Sequence, residues 1–375
     1  MDFSFSEEQT LLRNSVQRYL ADNYKFEDWR KFTRSEQGRD PKHWAQFAEL
    51  GLLAAPLPEA HGGLGGDALS TLIVMEEFGR ALVVEPYVPT VVVGGGLIDR
   101  AGSDAMKEEW IPKIASGETL MAFAFAEPQG RYNLADLTTT AKKQGAGYVL
   151  SGQKSVVIGA PWADTLIVTA RSAGGRRDEK GISVFLVDKT AKGVSCRDFA
   201  TVDGSRASEI TFENVEVPAS RLIGEADSGL ALVERAVDEA IAAVCAEATG
   251  GMKMLVDATV EYSKNRKQFG VPIGKFQVLQ HRMVDMFVNY EQAVSITLMV
   301  TLKLASDAER AKAASAAKAQ IGKSGRFVGQ SAVQVHGGMG MTDELNVGHY
   351  FKRLTMIDTL YGNVDHHLRR FAAAA

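Results

Sequence analysis

The chain has 375 residues, of which 45% are hydrophobic and 23% charged. That length suffices for two or three domains with a large core, and the composition is that of an ordinary globular protein. Basic side chains number 42 and acidic ones 46, for a net charge of -4, which excludes the electrostatic footprint of a nucleic-acid binder or of a protein held on an anionic membrane.

The opening segment MDFSFSEEQT has neither a basic nor an apolar targeting region, and no apolar run approaches the ~18 residues of a membrane span, so a cytoplasmic location is expected. Ser6 and Gln9 form a capping box, and Leu12, Val16, Tyr19 and Leu20 follow at helical spacing. Asp40 and Pro41 open a second helix that carries Trp44, Phe47, Ala48 and Leu50 and stops at Gly51. A glycine-rich loop through Gly62–Gly66 leads to a third helix over about 67–81. Near residue 120 the pattern changes. Short β-branched runs at 148–150, 165–169, 181–187, 209–213 and 215–218, separated by turns and not by helices, predict an antiparallel sheet or barrel. Helical periodicity returns at Gly229 in four segments, roughly 229–264, 273–305, 307–336 and 343–372, which predict an up-down bundle. The expected fold class is therefore α+β, mainly α, with an N-terminal helical domain (1–120), a central antiparallel β domain (121–226) and a C-terminal four-helix bundle (227–375).

Of the two cysteines, Cys196 falls in a predicted strand and Cys245 in a predicted helix; neither lies in a CxxC pair, so a reducing compartment is the expectation. The stretch Val91-Val92-Val93-Gly94-Gly95-Gly96 resembles a strand entering a glycine turn, but Asp99 stands where the dinucleotide fingerprint needs its third glycine. Gly322-Lys323-Ser324 echoes a P-loop end, yet Ala317 replaces its first glycine, and the segment reads as helix. His366 and His367 would point about 100° apart on a helix, which suits surface or capping histidines and not a metal site. No metal is expected.

Three blocks are more specific. Ala124-Phe125-Ala126-Glu127-Pro128 is followed by Gly152-Gln153-Lys154 and then Ala163-Asp164. The second block runs from Arg266 to Gln277 (RKQFGVPIGKFQ), and the third is Gln334-Val335-His336-Gly337-Gly338-Met339-Gly340. In this order, on helix–sheet–helix organisation, the whole chain resembles the acyl-CoA dehydrogenase family. That resemblance implies FAD held between the β domain and the bundle, with a second subunit completing the site. It assigns Arg266, Gln268, Phe269, Phe276, Gln277, Gln334, Gly337 and Gly338 to the adenine–diphosphate end, and Phe125 and Ala126 to the ring side. The chemistry suits these residues. Arg266 can fork onto pyrophosphate oxygens, and the two glycines let backbone N–H groups approach a phosphate. A surface salt bridge for Arg266 and an ordinary helix-terminating turn for the glycines are the plainer alternatives. On the ring side the sequence departs from the family pattern. Gln129-Gly130-Arg131-Tyr132-Asn133 replaces the usual Gly-x-Gly-Ser-Asp, Ala126 replaces a Thr, and Val156 and Ile158 replace a Trp and a Thr. A flavin ring against this β domain would be held poorly or not at all.

Oxidising an acyl-CoA to its 2-enoyl form needs a carboxylate for the α-proton and the flavin N5 for the β-hydride. The family's two usual positions for that carboxylate fall here on Gly362, after Tyr361, and on Ala240. The remaining choice is Glu247, two turns beyond Ala240 and the only charge on a stripe of Ala236, Ala240, Ala243, Val244, Gly250, Gly251 and Met254. A Glu buried against an Arg of a neighbouring helix, or one at a subunit interface, is the other reading. Within the family, the stretches Phe5–Arg13 (FSEEQTLLR), Val74–Tyr87 (VMEEFGRALVVEPY) and Met341–Leu354 (MTDELNVGHYFKRL) resemble most nearly the small subunit of pimeloyl-CoA dehydrogenases. That resemblance implies an acyl-CoA substrate, electron-transfer flavoprotein as acceptor, and a homo- or hetero-oligomer with a larger subunit. Tyr361 and Arg131 are then the substrate-side residues, with Arg131 reading a substrate carboxylate or simply facing solvent.

Overall fold

The computed structural model describes residues 5–374. In chain order it contains α1 (Glu7–Asn23), α2 (Phe26–Arg34), α3 (Pro41–Glu49), α4 (Ala68–Ala81), α5 (Gly96–Ala101) and α6 (Asp104–Ala115). The strands β1 (Met121–Ala124), β2 (Thr140–Gln144), β3 (Gly147–Ile158), β4 (Thr165–Arg171), β5 (Ile182–Asp188), β6 (Val194–Ala200), β7 (Arg206–Pro218) and β8 (Leu222–Ile223) follow. Then come α7 (Leu230–Asn265), a small hairpin of β9 (Lys267–Gln268) and β10 (Val271–Pro272), and α8 (Gln277–Lys303), α9 (Arg310–His336), α10 (Asn346–Thr359) and α11 (Val364–Ala373).

One compact unit comprises residues 32–67 and 84–240. Its centre is an 8-stranded sheet in the order β6-β7-β3-β2-β4-β5-β8, with β1 added beside β4. The antiparallel expectation needs correction, because β1 and β2 both pair with β4 in parallel. The two runs at 209–213 and 215–218 also prove to be one strand, β7, continuous through Asn214, whose φ is +51°. β4 and β5 are buried on both faces save for Asp188 and therefore read as continuous apolar runs, whereas β6 at the sheet edge alternates. Phe185, Leu150, Leu166, Ile210 and Val215 are fully buried together in the sheet's core. The Val-rich stretch that resembles a strand is a π-helical segment, Val88–Gly95. Burial overrides β-propensity there: Val91 and Val93 are buried, and the Thr90 hydroxyl bonds both backbone groups of Met121.

The second unit comprises residues 5–31, 68–83 and 241–374. Its first helix begins with the expected capping box. Trp29 of α2, a helix the periodicity did not reveal, donates its indole N–H to the Leu82 carbonyl. α4 and α7 pack at glycine distance: a Cβ on Gly79 would lie 1.9 Å from the Glu247 carbonyl oxygen, and one on Gly250 as close to that of Glu76. The last predicted helix is two. α10 ends at Thr359, and a turn with Tyr361 at φ +59° and Gly362 at φ +117° precedes the Asn363 cap of α11. Fully buried Lys318 of α9 holds this turn, donating to the carbonyls of Asp358 (3.0 Å) and Gly362 (2.7 Å). His367 is not a surface residue: it is buried and donates to the Tyr361 carbonyl, and burial drives its pKa down to about 3. Among the described residues no His, Cys, Asp or Glu group could hold a metal ion, and no helix is long and apolar enough to cross a membrane.

Candidate functional site

The second unit carries a groove of about 750 Å³ at the C-terminal end of α9. Its walls come from the β9–β10 hairpin, the start of α8 and the glycine turn after His336, so residues far apart in sequence converge. Of the residues expected to meet FAD, the groove brings together Arg266, Gln268, Phe269, Phe276, Gln334, Gly337 and Gly338. Gln277 is exposed and lies outside the lining. Arg266 is exposed and forms no ion pair among the described residues, and Arg282 joins it in the lining, also without an acid partner. Two cations without counter-charge beside the apolar Phe276, Val278, Leu279 and Met339 suit a ligand that is anionic at one part and flat and apolar at another.

The glycines pass the same test. Gly337 sits at φ +61°, which a non-glycine residue adopts only with strain, and a Cβ on Gly337 or Gly338 would meet nothing within 4 Å. The backbone there faces open space, as a phosphate cradle requires. Phe269, at φ +52° and 91% exposed, stands edge-on to Phe276 at 6.2 Å. Sequence reasoning missed Arg282, Tyr262 and His336 in this wall. His336 lies inside the glycine block, so its signal was present; Arg282 sits in the second turn of α8, whose periodicity gives it no distinction.

The positions expected to supply a base are also defined. Ala240 and Gly362 are buried and carry no carboxylate. Glu247 is buried and meets Arg353 of α10 in a forked ion pair, Nε to Oε1 at 2.5 Å and Nη2 to Oε2 at 2.7 Å. That is the alternative raised from the sequence, a buried Glu facing an Arg of a neighbouring helix. Both carboxylate oxygens are engaged, so accepting a proton from carbon would require Glu247 to give up part of this pair. Burial pushes the Tyr361 phenol up, with Arg353 and Glu247 near enough to act on it. Arg131 is exposed, at φ +49° in its loop.

In the sheet unit, Phe125 and Ala126 are half-buried. Their neighbour Glu127 is a hub. Its Oε1 accepts from Lys154 Nζ (2.8 Å) and the Thr139 N–H (3.1 Å), and its Oε2 from the Thr138 N–H (2.7 Å), the Thr138 hydroxyl (2.6 Å) and Gln129 (2.8 Å). Burial alone would raise its pKa, but Lys154 and the Thr138 donors outweigh that and hold the carboxyl down at about 2. Lys154 also bonds the Phe125 carbonyl. The register shift after Lys154 leaves Val156 at φ +51° and 49% exposed. Glu127 and Lys154 satisfy each other, while Ala126 and Val156 present apolar side chains where the family pattern has a hydroxyl and an indole.

Comparison with known proteins agrees with this layout. The family models for the acyl-CoA dehydrogenase N-terminal, middle and C-terminal domains match residues 6–118, 122–215 and 227–375. The chain is 31% identical to the 3-(aryl)acrylate reductase of Clostridium sporogenes, over 85% of this chain and 86% of that one. It is also 31% identical to acyl-CoA dehydrogenase FadE12 of Mycobacterium tuberculosis, over 92% and 90%. The solved ChsE4–ChsE5 complex of Mycobacterium tuberculosis superposes with a TM-score of 0.91 at 26% identity, covering 100% of this chain and 98% of that chain. The chain belongs to the acyl-CoA dehydrogenase family of oxidoreductases and has that family's fold of helical, β and helical domains.

Proposed function

We propose that this chain takes part in the FAD-dependent α,β-dehydrogenation of an acyl-CoA to its trans-2-enoyl-CoA, as one subunit of an oligomer. The groove carries the reading: Arg266, Arg282, Gln334, Gly337 and Gly338 converge where the adenine–diphosphate end of FAD would be held. FAD, when bound, supplies the hydride acceptor. The chain's own residues hold the nucleotide end: the arginines face the phosphates, and the glycine turn leaves room for a phosphate to approach its backbone, although the Gly337 N–H itself is taken by the Gln334 and Val333 carbonyls. The α-proton goes to a carboxylate, and Glu247 is the residue of this chain proposed for that role. Electron-transfer flavoprotein is the proposed electron acceptor.

A second reading is favoured by the Glu247–Arg353 pair. With Ala240 and Gly362 empty of carboxylates and Glu247 held at both oxygens, the chain would be a non-catalytic partner that captures FAD for a larger subunit. The apolar Ala126 and Val156 point the same way. So does the resemblance to the small subunit of pimeloyl-CoA dehydrogenases, in which Arg131 would read a dicarboxylyl substrate's far carboxylate. The similarity to ChsE4–ChsE5, a complex by its name, is consistent with a two-chain assembly.

The test is the visible spectrum of the purified protein, followed by anaerobic additions of pimeloyl-CoA and of a medium-chain acyl-CoA. A flavin band that bleaches in the wild type and not in Glu247→Gln supports the first reading. Unchanged turnover in Glu247→Gln within the assembled complex places the base on another chain.

A further inference from the structure

We infer that His336 is a specificity-determining residue of the groove, offering Nε2 as an acceptor to an N–H or O–H donor on the nucleoside of the bound nucleotide. This rests on the nucleotide reading of the groove. The ring is fixed from two sides. Its Nδ1 lies 2.8 Å from the Ala332 carbonyl oxygen, and it packs against the Tyr262 ring, tilted by 31° with centroids 4.3 Å apart. A carbonyl oxygen only accepts, so Nδ1 carries the proton. In the neutral ring Nε2 then bears the lone pair, and among the described residues nothing pairs with it. His336 is 4% exposed yet lines the groove, and burial lowers its pKa, which keeps the ring neutral near pH 7. The other polar side chains of this wall are the cations Arg266 and Arg282, which only donate, the amides Gln268 and Gln334, which do both, and the Tyr262 hydroxyl. His336 therefore supplies an ordered acceptor among groups that mostly present donors, and it discriminates ligands that the phosphate contacts cannot tell apart.

The experiment follows competition against FAD by fluorescence quenching, using the protein assembly as purified and freed of flavin. The probes are ADP, IDP (without the 6-amino group), 2′-deoxy-ADP and 3′-deoxy-ADP. One of the last three should bind wild type roughly three- to tenfold more weakly than ADP, the range of one neutral hydrogen bond. Which probe it is identifies an amino or a hydroxyl donor. In His336→Phe, which keeps an aromatic ring against Tyr262, that preference should vanish, and His336→Gln, which restores an acceptor, should recover part of it. A preference unchanged in His336→Phe overturns the inference while leaving the groove reading intact. Failure of ADP to compete at all, with no effect of Arg266→Gln, overturns the groove reading and this inference with it.

Discussion

The ion pair between Glu247 and Arg353 joins α7 to α10, and its removal is the sharpest test of how this bundle is held. The Glu247 side chain is 3% exposed and that of Arg353 17%. Arg353→Met strands a carboxylate with no water to reach, and breaking a buried pair in this way costs about 3–5 kcal/mol. Glu247→Gln strands a guanidinium that keeps some solvent access and can still donate to the amide oxygen, so its cost is lower, roughly 1–3 kcal/mol. Glu247→Gln combined with Arg353→Met removes both charges and should lie nearer to wild type than the sum of the two single costs. Urea unfolding followed by tryptophan fluorescence at pH 7 gives the three differences. The expected coupling is about 2–4 kcal/mol, with the melting temperature of Arg353→Met lowered by roughly five degrees. Additive single-mutant effects, within about 0.5 kcal/mol, would show that the pair is not maintained in solution. The obstacle it poses to Glu247 as a base would then disappear.

Glu127 gives a pH prediction. Its folded pKa of about 2 lies below its ordinary value of 4.5. The stability it contributes, ~3 kcal/mol, is therefore full above about pH 5 and lost as pH falls through 4.5 towards 2. Glu127→Gln should be strongly destabilised at pH 7, where it leaves Lys154 buried without its counter-charge, and the gap to wild type should narrow in acid melts; a gap constant from pH 7 to pH 3 refutes the assignment. Arg266→Gln should weaken FAD binding about 10- to 100-fold, as expected for loss of a charged hydrogen-bond pair, measured by flavin fluorescence quenching; an unchanged affinity would move the phosphates elsewhere. Gly79→Ala should cost about 1–3 kcal/mol in thermal melts, because its Cβ would meet the Glu247 carbonyl at 1.9 Å and force α4 and α7 apart; a neutral result would mean that the two helices separate freely.

Much of this fold is legible in the sequence where signals are local. The Ser6–Gln9 capping box, the Asp40–Pro41 helix start and the long helices α7, α8 and α9 all appear where caps and periodicity put them. What escaped depends on tertiary context. The break between α10 and α11 carries no proline, and its turn is fixed by Lys318, some forty residues away in sequence. β1 and β2 are only 4 and 5 residues long and owe their parallel pairing with β4 to the sheet around them. The Val91–Val93 run looked like a strand because its residues favour strands, and only burial made it helical. In the site, seven residues chosen from two sequence blocks meet in one groove, because the glycine turn and the hairpin are both short, local structures. The partner of Glu247 could not be chosen from sequence, since several arginines stand on the later helices and nothing local marks Arg353.

The distribution of polar groups separates two tasks within the chain. Where the sequence keeps the family's residues, around Arg266 and Gly337, the structure leaves charge unpaired and backbone facing open space. Where it departs from them, around Ala126, Val156, Ala240 and Gly362, side chains are small or apolar, and the neighbouring charges, Glu127 with Lys154 and Glu247 with Arg353, neutralise one another. Buried pairs of this kind contribute little net stability against apolar replacements, so their presence alone does not mark a stability role. They do commit both partners, which makes each carboxylate less available for chemistry than its burial suggests. Unpaired arginines are the opposite case: an exposed guanidinium beside aromatic surface gains most when an anion arrives. On this argument the groove proposed to hold the nucleotide is the part of the chain poised to bind, and Glu247, if it is the base, can act only once substrate or a partner subunit draws Arg353 away.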